Sequence, residues 1–140
     1  MPDRAVGGQT LMAFDFGERR IGVAIGNTIT GGARPLTVVE SERREERFSR
    51  IADLLKEWAP DRLVVGLPVH PDGSPHPFAA RCQRFANQLH GRFGLPVEMA
   101  DERWTSALAP GKDAIDAEAA AILLQAVLDT LSTHAPVHTN

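Results

Sequence analysis

Three acidic positions fall where apolar segments stop. Asp15 follows Leu11-Met12-Ala13-Phe14, the Asp101-Glu102 pair follows Pro96 to Ala100, and Asp116 lies at the start of a long apolar stretch. A carboxylate at the end of a buried segment is costly to keep charged unless something compensates it, and a divalent cation is the natural compensation. Carboxylates alone form a hard, oxygen-only donor set suited to Mg2+ or Mn2+. Two such ions about 4 Å apart activate water and stabilise a leaving oxygen in phosphodiester cleavage. Each acid also fits a structural role. Asp15 can close the turn before Gly17, Asp101 can pair with Arg103, and Asp113 can cap the helix that Asp116 enters. Asp113 and Asp116, three residues apart, share a helix face, so a joint metal-facing role stays open.

The elements that must position these acids follow from periodicity. Leu11 to Phe14 and Ile21 to Ile25 read as two strands joined by a tight turn at Glu18-Arg19-Arg20, and Pro35 to Glu40, rich in β-branched residues, supplies a third after the Gly31-Gly32 break. Phe48, Ile51, Leu55 and Trp58 then recur at helical steps, predicting an amphipathic helix from about Ser41, its N-cap, to the stop at Pro60. The run Arg62 to Leu67 reads as a strand buried on both faces, and Pro68 to Pro77 as loop. Phe78, Cys82, Phe85 and Leu89 mark a second helix, with Gly91 and Gly94 beyond it. Pro96 to Ala100 gives a fifth strand. A last, mostly apolar helix from about Asp113 to Leu131 should lie buried against the sheet. The order β-β-β-α-β-α-β-α starts as a meander and continues through helical crossovers. It predicts an α/β fold, a mixed five-stranded sheet with helices on both faces in the ribonuclease H-like arrangement. Residues 1–9 and 133–140 read as flexible tails around one domain at 10–132.

Size and composition narrow the function. The chain has 140 residues, 43% hydrophobic and 24% charged, as expected of one folded domain and not of a disordered or fibrous protein. A net charge of −3 excludes a protein that coats nucleic acid by bulk electrostatics, so any polyanion must meet a local patch. The basic residues are 13 Arg and 2 Lys. Arginine is the better fork for phosphate, although a GC-rich genome gives the same bias. One cysteine, Cys82, permits no internal disulfide and reads as a small core residue, which predicts a reduced, cytoplasmic setting. No apolar run is long enough to span a bilayer, so no membrane partner is expected.

Four segments, in order, carry a resemblance. Ala13 to Ala24 with Asp15-Phe16-Gly17, Val64-Val65-Gly66-Leu67-Pro68 with Asp72-Gly73, Val97 to Thr105 with Asp101-Glu102-Arg103, and Asp116-Ala117-Glu118-Ala119-Ala120 resemble the successive motifs of the YqgF family. These RuvX-like proteins are Holliday junction resolvases, also described as nucleases that mature precursor 16S ribosomal RNA. The resemblance spans about Leu11 to Leu131 and implies a ribonuclease H-like fold with Mg2+- or Mn2+-dependent phosphodiester hydrolysis. It implies that Asp15, Glu102 and Asp116 are catalytic metal ligands. Arg19, Arg20, Arg103 and Thr105 match substrate-binding positions, Thr105 with an alternative role as N-cap of the following turn. Gly17, Gly22 and Gly66 would serve tight turns and close backbone approach.

The chain also departs from that pattern. Only Ser106 to Ile115 separates Thr105 from Asp116, where relatives carry a longer helix and a basic loop, and Lys112 alone remains of that loop. Asn27 stands where relatives commonly have an acid after the second strand, which removes one candidate carboxylate from around the metal site, and Trp104 replaces an aliphatic residue and could stack on a base or cover the shortened loop. His70 and His76, in the Pro-rich loop, could reach a phosphate or serve as an acid, or could be exposed without a role. The charge run Glu42 to Arg50 reads as a solvated helix face. The expected partner is nucleic acid, either a ribosomal RNA precursor or branched DNA, met by a monomer or homodimer. The competing reading is a non-catalytic RNA- or ribosome-binding module on the same fold. A third follows from Asp15-x-Gly17, which also resembles the first phosphate loop of actin-like ATPases, but those clamp nucleotide between two domains and 140 residues provide one.

Overall fold

The computed structural model describes residues 8–17, 19–68, 72, 74, 76–101 and 117–134. Eight elements follow in chain order: β1 (Thr10–Phe16), β2 (Arg20–Asn27), β3 (Gly32–Glu40), α1 (Arg44–Trp58), β4 (Arg62–Leu67), α2 (Ala79–Phe93), β5 (Val97–Asp101) and α3 (Ala117–His134). The five strands form one sheet in the order β3-β2-β1-β4-β5. The β1–β2 and β2–β3 pairs are antiparallel, whereas β1–β4 and β4–β5 are parallel. The expected mixed sheet is therefore present.

Burial explains the continuous apolar runs of β1 and β4. Leu11, Met12, Ala13 and Phe14 are fully buried, as are Leu63, Val64 and Val65, because helices cover both faces of these central strands. Met12, Phe14, Leu63 and Val65 point to one face, where they pack with Phe48 and Ile51 of α1 and with Cys82, Phe85 and Leu89 of α2. Leu11, Ala13 and Val64 point to the other, against Ala120, Leu123, Leu124 and Leu128 of α3. Cys82 is a buried core residue, as its place in the helix predicts.

Several boundaries differ from the sequence reading, each for a local reason. The β2–β3 turn closes through Gly31, at φ 73°, whose N–H donates to the Asn27 carbonyl at 2.8 Å. Gly32 can then pair with Asn27 at once, so β3 starts three residues earlier than expected. Pro35 is tolerated inside it because β3 is an edge strand and the register shifts at Val23/Ala24. Ser41 is not the N-cap of α1. That position is Arg43, whose N–H donates to the Ser41 hydroxyl at 3.0 Å, while the same hydroxyl donates to Glu46 at 2.8 Å. Gly91 lies within α2, and Gly94, at φ 72°, ends it.

Candidate active site

Asp15 is half-buried near the carboxyl end of the central strand β1, directly opposite Gly22 of β2. The β1–β2 hairpin turns immediately beyond, with the Gly17 N–H donating to the Arg20 carbonyl at 2.9 Å. Because β1, β4 and β5 are parallel and nearly in register, Asp15, Gly66 and Ala100, each next to last in its strand, lie at one edge of the sheet. In open α/β sheets, the carboxyl ends of parallel strands are where ligands bind. Strand alternation places Asp15 on the face of Leu11 and Ala13, beneath α3.

The position of α3 brings a fourth element over the same strands. Leu124 and Leu128 crowd Gly26, which pairs with Leu11 at the far, amino-terminal end of β1. Ala117 precedes Leu124 by seven residues, about 10 Å of helix. That span is comparable to the roughly 13 Å of strand from Leu11 to Asp15. Ala120, in the first turn of α3, packs in one cluster with Ala13 and Val64, so the start of the helix lies over the central strands that carry Asp15. Along the edge strand β5, an open groove of about 240 Å3 runs between Glu98 to Asp101 on one side and Leu123 to Leu131 of α3 on the other.

The remaining predicted site residues divide sharply. Glu102, Arg103, Thr105 and Asp116 lie outside the described residues, as do Lys112, Asp113, Trp104 and His70. In chain order Glu102 follows the last residue of β5 and Asp116 precedes the first of α3. Among the described residues no group of three His, Cys, Asp or Glu side chains could hold a metal ion. Asp101 alternates onto the face of Val97 and Met99, opposite that of Asp15. Arg19 and Arg20 are exposed at the hairpin beside Asp15, and Arg20 makes a loose 3.9 Å ion pair with Glu40. An exposed pair of this kind is worth little and can exchange for phosphate.

Two sequence readings are corrected here. Asn27 cannot belong to the surroundings of Asp15, because it pairs with Thr10 at the opposite edge of the sheet. There its carboxamide accepts the Ile29 N–H at 2.7 Å and donates to the Thr10 hydroxyl at 3.2 Å, holding the β2–β3 turn. His76 is not idle: its Nδ1 accepts the Phe78 N–H at 3.0 Å and its carbonyl accepts that of Ala79, organising the entry to α2.

A feature missed in the sequence lies on the other face at the same edge. Arg44 and Arg47 of α1 and Arg81 and Arg84 of α2 line an open cleft of about 410 Å3 with Phe16, the neighbour of Asp15, in its wall. Partial burial, together with the neighbouring Arg44 charge, pushes the Arg47 guanidinium below its ordinary value. The acids of the same helix turn are engaged elsewhere. Glu45 takes a forked pair from Arg92 at 2.8 and 3.3 Å, and Glu46 takes Ser41 and Arg50. The signal was present as two Arg-x-x-Arg spacings, but only the packing of α1 beside α2 makes them one surface.

With this geometry in hand, the chain matches the family model described as "RuvX: Holliday junction resolvase" over residues 9–130. It belongs to the RuvX family.

Curated relatives are close in sequence. A Burkholderia cenocepacia (strain HI2424) protein described as "Putative pre-16S rRNA nuclease" is 53% identical over 137 residues, covering 89% of this chain and 92% of its own. A Paraburkholderia phytofirmans (strain PsJN) protein of the same description is 52% identical, covering 92% and 94%. Among solved structures, Thermus thermophilus RuvC in complex with a Holliday junction substrate superposes with a TM-score of 0.59 at 17% identity, covering 89% of this chain and 96% of that one. A further T. thermophilus RuvC structure gives 0.56 at the same identity. The expected ribonuclease H-like fold is thereby shown for this RuvX chain. Among the described residues, no helix is long and apolar enough to cross a membrane.

Proposed function

We propose that this RuvX protein is a Mg2+- or Mn2+-dependent nuclease that hydrolyses phosphodiester bonds in structured nucleic acid. Its substrates are the 5′ end of precursor 16S ribosomal RNA, a four-way DNA junction, or both. The observation that carries this reading is the half-buried Asp15 at the edge where three parallel strands end. Its donor chemistry fits a hard cation, and the ligands would be Asp15, Glu102 and Asp116. A bound ion would lower the pKa of an attacking water and offset charge on the scissile phosphate. Arg19 and Arg20, exposed beside Asp15, would hold the strand by its phosphates, together with Arg103 and Thr105. The domain covers residues 10–132, with α3 running on to His134, and acts in the cytoplasm as a monomer or homodimer.

The test is cleavage by the purified protein of a 5′-extended 16S precursor RNA and of a four-way DNA junction, with each metal and with chelator. Cleavage of either substrate only when metal is present is the expected result. Binding without turnover in either metal would replace the nuclease with a non-catalytic RNA-binding module.

A further inference from the structure

We propose that the arginine cleft between α1 and α2 grips the phosphate backbone of the nucleic-acid strand that reaches Asp15, an assignment that rests on the nuclease reading for the identity of that strand. Its four guanidinium groups come from two helices, as an i, i+3 pair on each, Arg44 with Arg47 and Arg81 with Arg84. No carboxylate lines the cleft among the described residues, and Gln88 supplies the remaining polar wall. In a chain of net charge −3, this is a local concentration of positive charge. Like charges gathered in a partly buried wall repel one another, and an arriving polyanion relieves that repulsion.

Position ties the cleft to the catalytic edge. Arg47 Nη1 reaches the Gly17 carbonyl at 3.5 Å, and its guanidinium lies 5.8 Å from the centre of the Phe16 ring. Both contacts fall within two residues of Asp15, so a strand lying in the cleft runs toward the sheet edge where Asp15 sits. Contacts around the cleft hold its two helices together. Arg92 clips α2 to Glu45 of α1 and stacks 4.0 Å from the centre of the Phe48 ring, while Phe16 and Phe85 stack at 4.5 Å beneath. Arg44 and Arg84 are exposed, and among the described residues neither has an ion-pair partner. Guanidinium forks suit phosphate oxygens bidentately. Two pairs on facing walls of an open cleft suit successive phosphates of a chain rather than one enclosed phosphate ion.

The experiment measures binding of a fluorescently labelled RNA hairpin with single-stranded flanks, and of a four-way DNA junction, by anisotropy in chelator. Salt is varied from about 50 to about 200 mM. The double variant R44Q/R84Q should bind both probes roughly tenfold more weakly, and its slope of log affinity against log salt should be shallower by about 1.4 to 2. The loss should be equal for the two probes, because backbone contacts carry no sequence information. R44K/R84K should restore the slope, which a merely structural defect would not allow. Inorganic phosphate should compete no better than its ionic strength dictates. Unchanged affinity and slope in R44Q/R84Q, or specific displacement by inorganic phosphate, would overturn the proposal. Since chelator prevents cleavage, a shallower slope upholds the grip even if the protein proves to have no nuclease activity.

Discussion

In the proposed reaction Asp15 is the residue on which the chemistry turns, and its position makes a sharp prediction. It is half-buried and interrupts the apolar run of β1 just before the hairpin. Asp15→Asn keeps the shape and removes the charge, so cleavage should fall by about a thousandfold or more, roughly 4 kcal/mol of barrier, with the circular dichroism spectrum unchanged. A second single-residue prediction concerns acid. The Arg92 hydrogen bonds, and then its charge, hold the Glu45 carboxyl below the ordinary carboxylate range. A depressed folded value means this contact stabilises the fold above the ordinary range and is lost as pH falls through the folded value. In Arg92→Gln the Glu45 midpoint should rise toward that of a free glutamate, as followed by carboxyl NMR titration. At this scale Asp15 was legible in sequence because an acid closing a buried run stands out. Asn27 was misread because the same kind of signal, a polar residue at a strand end, does not say which edge of the sheet the end occupies.

Elements set that edge, and two contacts of α3 fix how it lies. A Cβ at Gly26 would come within 2.9 Å of the Gly32 carbonyl and of Leu128, and 3.0 Å of Leu124. Gly26→Ala must therefore push α3 or the β2–β3 turn away, at a cost of about 1–3 kcal/mol in urea denaturation. Gln125 ties the same helix to the edge strand: its carboxamide accepts the Ala33 N–H at 2.9 Å and donates to the Gly31 carbonyl at 2.8 Å. Gln125→Leu should cost about 1 kcal/mol, because the two backbone groups are only partly buried and water can replace the lost partners. The strand and helix types were readable from period alone. The register and the early start of β3 were not, since both depend on the left-handed turn at Gly31 and on β3 lying at an edge. Likewise, the charges of α1 read as a solvated face, and their meaning changed only when α2 packed beside them.

For the molecule as a whole, the sheet order brings the ends of β1, β4 and β5 to one side, and the arginine cleft opens on one face of that same edge. A slightly acidic chain can thus approach a polyanion, because its positive charge is gathered where the strand must lie. The β-β-β-α-β-α-β-α order made this architecture legible before any coordinates, whereas a surface shared by two helices has no signature in either helix alone. The most direct test of the central claim is single-turnover cleavage of 5′-extended 16S precursor RNA by the wild type and by Asp15→Asn across a Mn2+ titration. The account predicts metal-dependent cleavage by the wild type and none by the variant at any Mn2+ concentration. Equal cleavage by the two proteins, or wild-type cleavage that persists in chelator, would contradict it.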